Sequence, residues 1–149
     1  MVSSGTSAVV LGAGIAGLLA ARVASESYDS VTVVDRDRLP DHPAQRRGVP
    51  QGRHLHSFLT RGTGILGELF PGILDELATA AVVIDNGDLS GRYARIGRHE
   101  LNRTGTLADP QALAIYSASR PFMEFHVRRR VDKLSNVAFL DGHDAIEPV

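Results

Sequence analysis

Gly12-Ala13-Gly14-Ile15-Ala16-Gly17 has the spacing G-x-G-x-x-G, and Ala21 follows four positions after the last glycine. In this spacing the first glycine allows a tight turn, the second lets an anion approach the backbone, and the third packs a helix closely on a strand. Amides left free at the helix start, aided by the helix dipole, can then hold phosphate oxygens. Asp35 lies 23 positions after Gly12, where an acid can accept hydrogen bonds from a ribose. The pattern therefore points to a dinucleotide site. A carboxylate there disfavours the 2′-phosphate of NADP, and NAD and FAD both stay open. A second concentration of donors is "RRGVPQGRHLH", residues 46–56, with three arginines and two histidines. Arg46 begins that loop eleven residues after Asp35 and suits a bidentate pair with phosphate, whereas Arg47 and Arg53 are expected in solvent. His54 and His56 could face one side of an extended segment, but only His42 and scattered acids could complete a ligand set, so no metal site is expected.

The elements that must position these groups are legible around them. "SAVVLG" (7–12) reads as a buried parallel strand ending in glycine. Residues 14–27 place Ile15, Leu18, Leu19, Arg22 and Val23 at helical spacing, and "VTVVD" (31–35) is a second buried strand carrying Asp35 at its end. This is a β-α-β unit, whose crossover is right-handed. Beyond the basic loop, 57–70 is expected to be a helix with Leu59, Ile65, Leu66, Leu69 and Phe70 on its apolar face, and "GILDELATA" a further helix after Pro71. "AVVID" (81–85) with Asn86-Gly87 reads as a strand and turn, with "RYARIG" (92–97) as the next strand of a hairpin or small antiparallel piece. The stretch 101–114 reads as loop. Ser119 can cap a last helix over 120–134 with Met123, Val127, Val131 and Leu134 as its stripe, and "VAFLDG" (137–142) closes as a strand. Arg128, Arg129 and Arg130 are expected on the surface near that helix's carboxyl end, and Phe122 and Phe125 in the core.

Composition bounds what such a fold could do. At 149 residues and 43% hydrophobic content, one domain with an ordinary core is expected. A net charge of -1 supplies no field to attract nucleic acid or an anionic membrane surface. The absence of cysteine excludes disulfides, thiolate metal sites and cysteine nucleophiles. The apolar run 8–21 follows a leader without Lys or Arg and is interrupted by three glycines, which argues against both an export signal and a membrane span. A soluble, cytoplasmic protein is expected. No Ser-His-Asp ordering or paired-carboxylate spacing suggests hydrolysis.

Together "VVLGAGIAGLLAA", "VTVVDRD" and "RRGVPQGRHLH" resemble the amino-terminal part of FAD-dependent monooxygenases of the para-hydroxybenzoate hydroxylase type, closest to a bacterial subgroup that includes polyether epoxidases. The fold implied is α/β, a Rossmann-like FAD-binding β-α-β unit with a parallel sheet and a small antiparallel β piece. The resemblance implies that Gly12, Ala13, Gly14, Ile15, Ala16 and Gly17 bind the FAD diphosphate and Asp35 the adenosine ribose. It places Arg36 and Arg46 at the cofactor, matches Arg120 in "SRPFMEF" to a further contact, and brings backbone near Asp144 and Ala145 to the adenine. Residues 1–149 then form the amino-terminal part of an FAD-binding domain, with no separate substrate domain. The expected function is that of an FAD-dependent oxidoreductase, a hydroxylase or epoxidase or its FAD-binding portion, using NAD(P)H, oxygen and a small organic substrate. The alternatives are a truncated or partner-dependent nucleotide-binding module without activity of its own, in which a partner chain completes the FAD site, and a compact NAD-binding protein.

Overall fold

The computed structural model describes residues 5–80, 83–85, 87–110 and 114–146. Strand β1 (Gly5–Leu11), helix α1 (Ile15–Ala24) and strand β2 (Tyr28–Asp35) form the expected β-α-β unit. Strand β8 (Val137–Asp141) pairs parallel with the other side of β2, giving a parallel sheet of order β1-β2-β8. The register sets Val10 beside Val33 and Asp35 beside Asp141. A 3₁₀ turn (Pro50–Arg53) leads from the basic loop into β3 (Leu55–Phe58), followed by α2 (Thr60–Leu69) and α3 (Ile73–Thr79). Strands β4 (Val83–Asp85) and β7 (Ile115–Ser119) build an antiparallel sheet with β3 in the order β3-β7-β4. A separate two-stranded hairpin joins β5 (Arg95–Ile96) to β6 (His99–Glu100), and α4 (Arg120–Val131) runs from β7 back to β8.

The core lies on one face of the parallel sheet. Val31 and Val33 of β2 point into it, α1 contributes Leu18 and Ala21, and α4 contributes Met123, Val127 and Val131. Leu66 of α2 with Ile73 and Leu77 of α3 extends the same cluster. Each of these larger side chains gains roughly 1.5–3 kcal/mol from leaving water, which is why the helical stripes rather than helix propensity fix the arrangement. Ser119 starts α4, its hydroxyl accepting the Phe122 amide hydrogen at 3.4 Å, and Pro121 sits in the first turn where no amide donor is needed.

Six expectations are corrected here. Strand β1 is half-buried on one face, at Ala8 and Val10, and open on the other: Val9 is 64% and Leu11 67% exposed, because α1 and α4 cover a single side of the sheet and β1 lies at its edge. The helix expected over 57–70 begins at Thr60, since Leu55–Phe58 pairs with β7 as a strand. The 81–85 strand, described over Val83–Asp85, pairs with β7 rather than with 92–97, and 95–96 pairs with 99–100; residues 81, 82 and 86 lie outside the described residues. Helix α4 ends at Val131 and not at 134, with Asp132 as its cap. Arg128 is buried instead of exposed, because it lies on the α4 face that the loop after β2 covers and donates to the Pro40 carbonyl oxygen. Phe122 packs against the core as expected, whereas Phe125 lines a side cleft of about 410 Å³ with Leu39, the guanidinium groups of Arg128 and Arg129 each 5.7 Å from its ring centroid.

Candidate functional site

The carboxyl ends of β1 and β2 open onto a cleft of about 550 Å³ at the head of α1. Gly12 makes the turn into it with φ +95°, a conformation that suits glycine, and its amide donates to the Val34 carbonyl oxygen at 2.7 Å. A Cβ on Gly17 would sit 1.8 Å from the Gly12 carbonyl oxygen, so only glycine lets the helix start this close to the strand. Gly14 caps α1 without any side-chain hydrogen bond, and no acid lies in the first turn. Among the described residues no acceptor claims the first-turn amides, which line the cleft at the positive end of the helix dipole. A Cβ on Gly14 would meet nothing nearer than Arg120 Nη2 and Glu124 Oε2, both 3.9 Å away.

Asp35 sits beside these amides, buried, at the end of β2. Its Oδ2 accepts from the Ala13 amide at 2.6 Å, and its Oδ1 from the Asp37 amide at 2.8 Å and Arg46 Nη1 at 3.0 Å. Burial pushes its pKa up, but the amide hydrogen bonds and the Arg46 cation outweigh that and hold it below the usual carboxylate value. An ionised carboxylate offers about four acceptor sites, and three are taken by described residues, which leaves one on Oδ2 uncommitted.

Arg46 anchors the start of the basic loop inside the protein. Its guanidinium is buried, and all five N-H donors meet protein acceptors: Nε and Nη2 reach Glu124 Oε1 at 2.9 and 2.5 Å, Nη2 also reaches the Ala13 carbonyl oxygen at 3.1 Å, and Nη1 reaches Asp35 and, at 3.4 Å, Asp37 Oδ2. The expected direct pairing with phosphate is not what this arrangement offers, because no donor is left over. Burial lowers its pKa, and Glu124 and Asp35 more than reverse that, so the group stays charged. Asp37 Oδ2 and the Gln45 amide pin the loop from inside, taking the Gly48 amide hydrogen and donating to the Val49 carbonyl oxygen.

The other expected residues fall at stated places around the cleft. Arg36 is exposed on its rim, Ala13 is buried behind it, and Ile15, Ala16 and Arg120 line it. Asp144 and Ala145 line it too, next to His143, whose amide donates to the Asp35 carbonyl oxygen at 3.1 Å. Arg47, Arg53 and His54 face solvent, and His56 Nδ1 lies 2.9 Å from the His54 carbonyl oxygen. Among the described residues no cluster of three metal-ligating side chains exists and no helix is long and apolar enough to cross a membrane. Glu124 and Asp37, which hold Arg46, are among the residues around the site that the sequence did not single out. Glu124 stands four positions after Arg120 and between the stripe residues Met123 and Val127, a placement that could have marked it as an inward-facing acid.

No family model matches the chain. It is 45% identical over 130 residues to Protein Rv3254 of Mycobacterium tuberculosis, an alignment covering 87% of this chain and 27% of that protein. Among solved structures it is similar to PqsL, a probable FAD-dependent monooxygenase from Pseudomonas aeruginosa, at TM-score 0.62 and 13% identity, covering 93% of this chain and 33% of PqsL. It is likewise similar to the tetrameric form of 2-methyl-3-hydroxypyridine-5-carboxylic acid oxygenase, at TM-score 0.62 and 17% identity, covering 93% of this chain and 32% of the other. The chain thus spans about a quarter of the curated relative and a third of these structures. At such identities the likeness establishes a shared α/β fold, with the parallel three-stranded sheet and small antiparallel sheet already described.

Proposed function

We propose that residues 1–149 are the amino-terminal part of an FAD-binding domain in an oxidoreductase of the flavin monooxygenase type. The observation that carries this reading is the convergence, on one cleft, of unclaimed α1 amides, a free acceptor site on Asp35 Oδ2, and Arg120. The residues fit the ADP portion of FAD. Gly14, Ile15, Ala16 and Gly17 would hold the diphosphate, Asp35 the ribose, and backbone around Asp144 and Ala145 the adenine side. Arg120 and Arg36 supply cations at the rim, while Arg46 orients Asp35 from behind. Bound flavin supplies the redox chemistry and the delivery of oxygen. The residues of this chain bind and orient it, and none is assigned as acid, base or nucleophile.

NAD(P)H as reductant, a small organic substrate, and hydroxylation or epoxidation as the reaction complete the proposal. The para-hydroxybenzoate hydroxylase type, and within it the polyether epoxidase-like subgroup, rests on the 46–56 loop motif. A second reading is a nucleotide-binding module that needs further polypeptide to complete its site. It is favoured by the bare face of the parallel sheet, where Val9, Leu11 and Leu140 stay exposed although parallel sheets are ordinarily covered on both sides.

The visible spectrum of the purified chain separates these readings. Added FAD that stays with the protein through gel filtration and bleaches with NADH supports the oxidoreductase. Flavin retained only after a second polypeptide is supplied supports the module. Retention of NAD with no affinity for FAD contradicts both.

A further inference from the structure

Glu124 is buried, yet its two oxygens are treated unequally. Oε1 takes two hydrogen bonds from Arg46, while among the described residues Oε2 has no hydrogen-bond partner and lies 3.7 Å from Arg120 Nε, which is itself buried and finds no acceptor there. One carboxylate therefore stands between two arginines, one behind the ribose end of the cleft and one at the diphosphate end. We propose that Glu124 is a positioning residue that keeps Asp35 available to the nucleotide by holding the Nε/Nη2 edge of Arg46 away from it. The inference rests on the nucleotide reading of the cleft.

The physical reason is that Arg46, with 3% of its side chain exposed, has no access to water and must satisfy its charge within the protein. With Glu124 ionised, the guanidinium is shared: its Nε/Nη2 edge goes to Glu124, and only Nη1 goes to Asp35. Without that charge the same edge turns toward the nearest remaining carboxylate, Asp35. A bidentate grip there takes the Oδ2 site that otherwise accepts a ribose hydroxyl. Oε2 meanwhile keeps Arg120 beside Gly14 through charge alone, so the donors of Arg120 are not committed to the protein.

The test is calorimetric titration of this chain with ADP and with 2′-deoxy-ADP, which lacks the hydroxyl that Asp35 would bind. Wild type is expected to prefer ADP by about tenfold, the worth of one charge-assisted hydrogen bond. In Glu124→Gln the preference is expected to fall to within about twofold of unity, and adding Glu124→Gln to Asp35→Asn should change the ratio no further. Arg46→Lys, which loses the fork needed for that grip, should restore the preference for ADP when added to Glu124→Gln, and Glu124→Met serves as the second variant if Glu124→Gln does not fold. A folded Glu124→Gln or Glu124→Met variant that binds both ligands more weakly with the tenfold preference intact overturns the proposal, because Glu124 is then merely structural. Wild type that binds ADP without preferring it overturns the proposal too, while wild type that binds no ADP overturns the nucleotide site itself.

Discussion

Asp35 has a structural duty, to which the proposed function adds a binding one on the same carboxylate. Its Oδ1 closes the turn to Asp37 and receives Arg46, and its Oδ2 ties down Ala13 at the glycine loop. Because these contacts hold the folded-state pKa below the 3.8 of an unperturbed group, ionised Asp35 stabilises the fold fully above that value, and the contribution is lost as pH falls through the lowered folded value. Urea denaturation of the wild type should therefore show its midpoint falling below about pH 4, and Asp35→Asn should be less stable at pH 7 with this part of the acid dependence removed. An Asp35→Asn variant as stable as wild type at neutral pH would mean that the acid is not held as described. The position of Asp35 was legible because it ends the valine-rich run 31–35 at a fixed distance from the glycines. The fate of Arg46 was not, since its main partner Glu124 lies 78 positions away and no local pattern couples the two.

The β-α-β unit was the most legible element because its signals are local: a β-branched run, a glycine turn, a helical stripe and a second run. The antiparallel sheet was least legible. Its central strand β7 is a short half-buried segment, and its partners come from 55–58 and 83–85, so pairing is decided by tertiary packing rather than by an adjacent turn. Within the first unit the glycines separate by role. Gly17→Ala forces a methyl to 1.8 Å from a backbone oxygen, which no side-chain rotation can relieve, and should cost about 3 kcal/mol or more in denaturation. A Gly17→Ala protein with wild-type stability would show that α1 does not start as close to β1 as the geometry requires. Gly14→Ala meets no atom within 3.4 Å and should fold normally.

At the scale of the whole molecule, the core occupies one side of the parallel sheet and the cleft occupies its carboxyl edge, where α1 and β2 deliver amides and an acid to the same space. The remaining face of that sheet stays apolar and open at Val9 and Leu11, which fits a chain spanning a quarter to a third of its relatives. The central claim is that the cleft receives the ADP portion of FAD on the bare amides of α1. Calorimetric titration of FAD into the wild type and into Gly14→Ala tests it most directly, with thermal melting of both as the control on folding. The account predicts one FAD bound per wild-type chain, and affinity at least about tenfold weaker in a Gly14→Ala protein of unchanged melting temperature, since a methyl at the second glycine would hold a diphosphate off the backbone. Equal FAD binding by the two proteins, or no binding by a folded wild type, would contradict it.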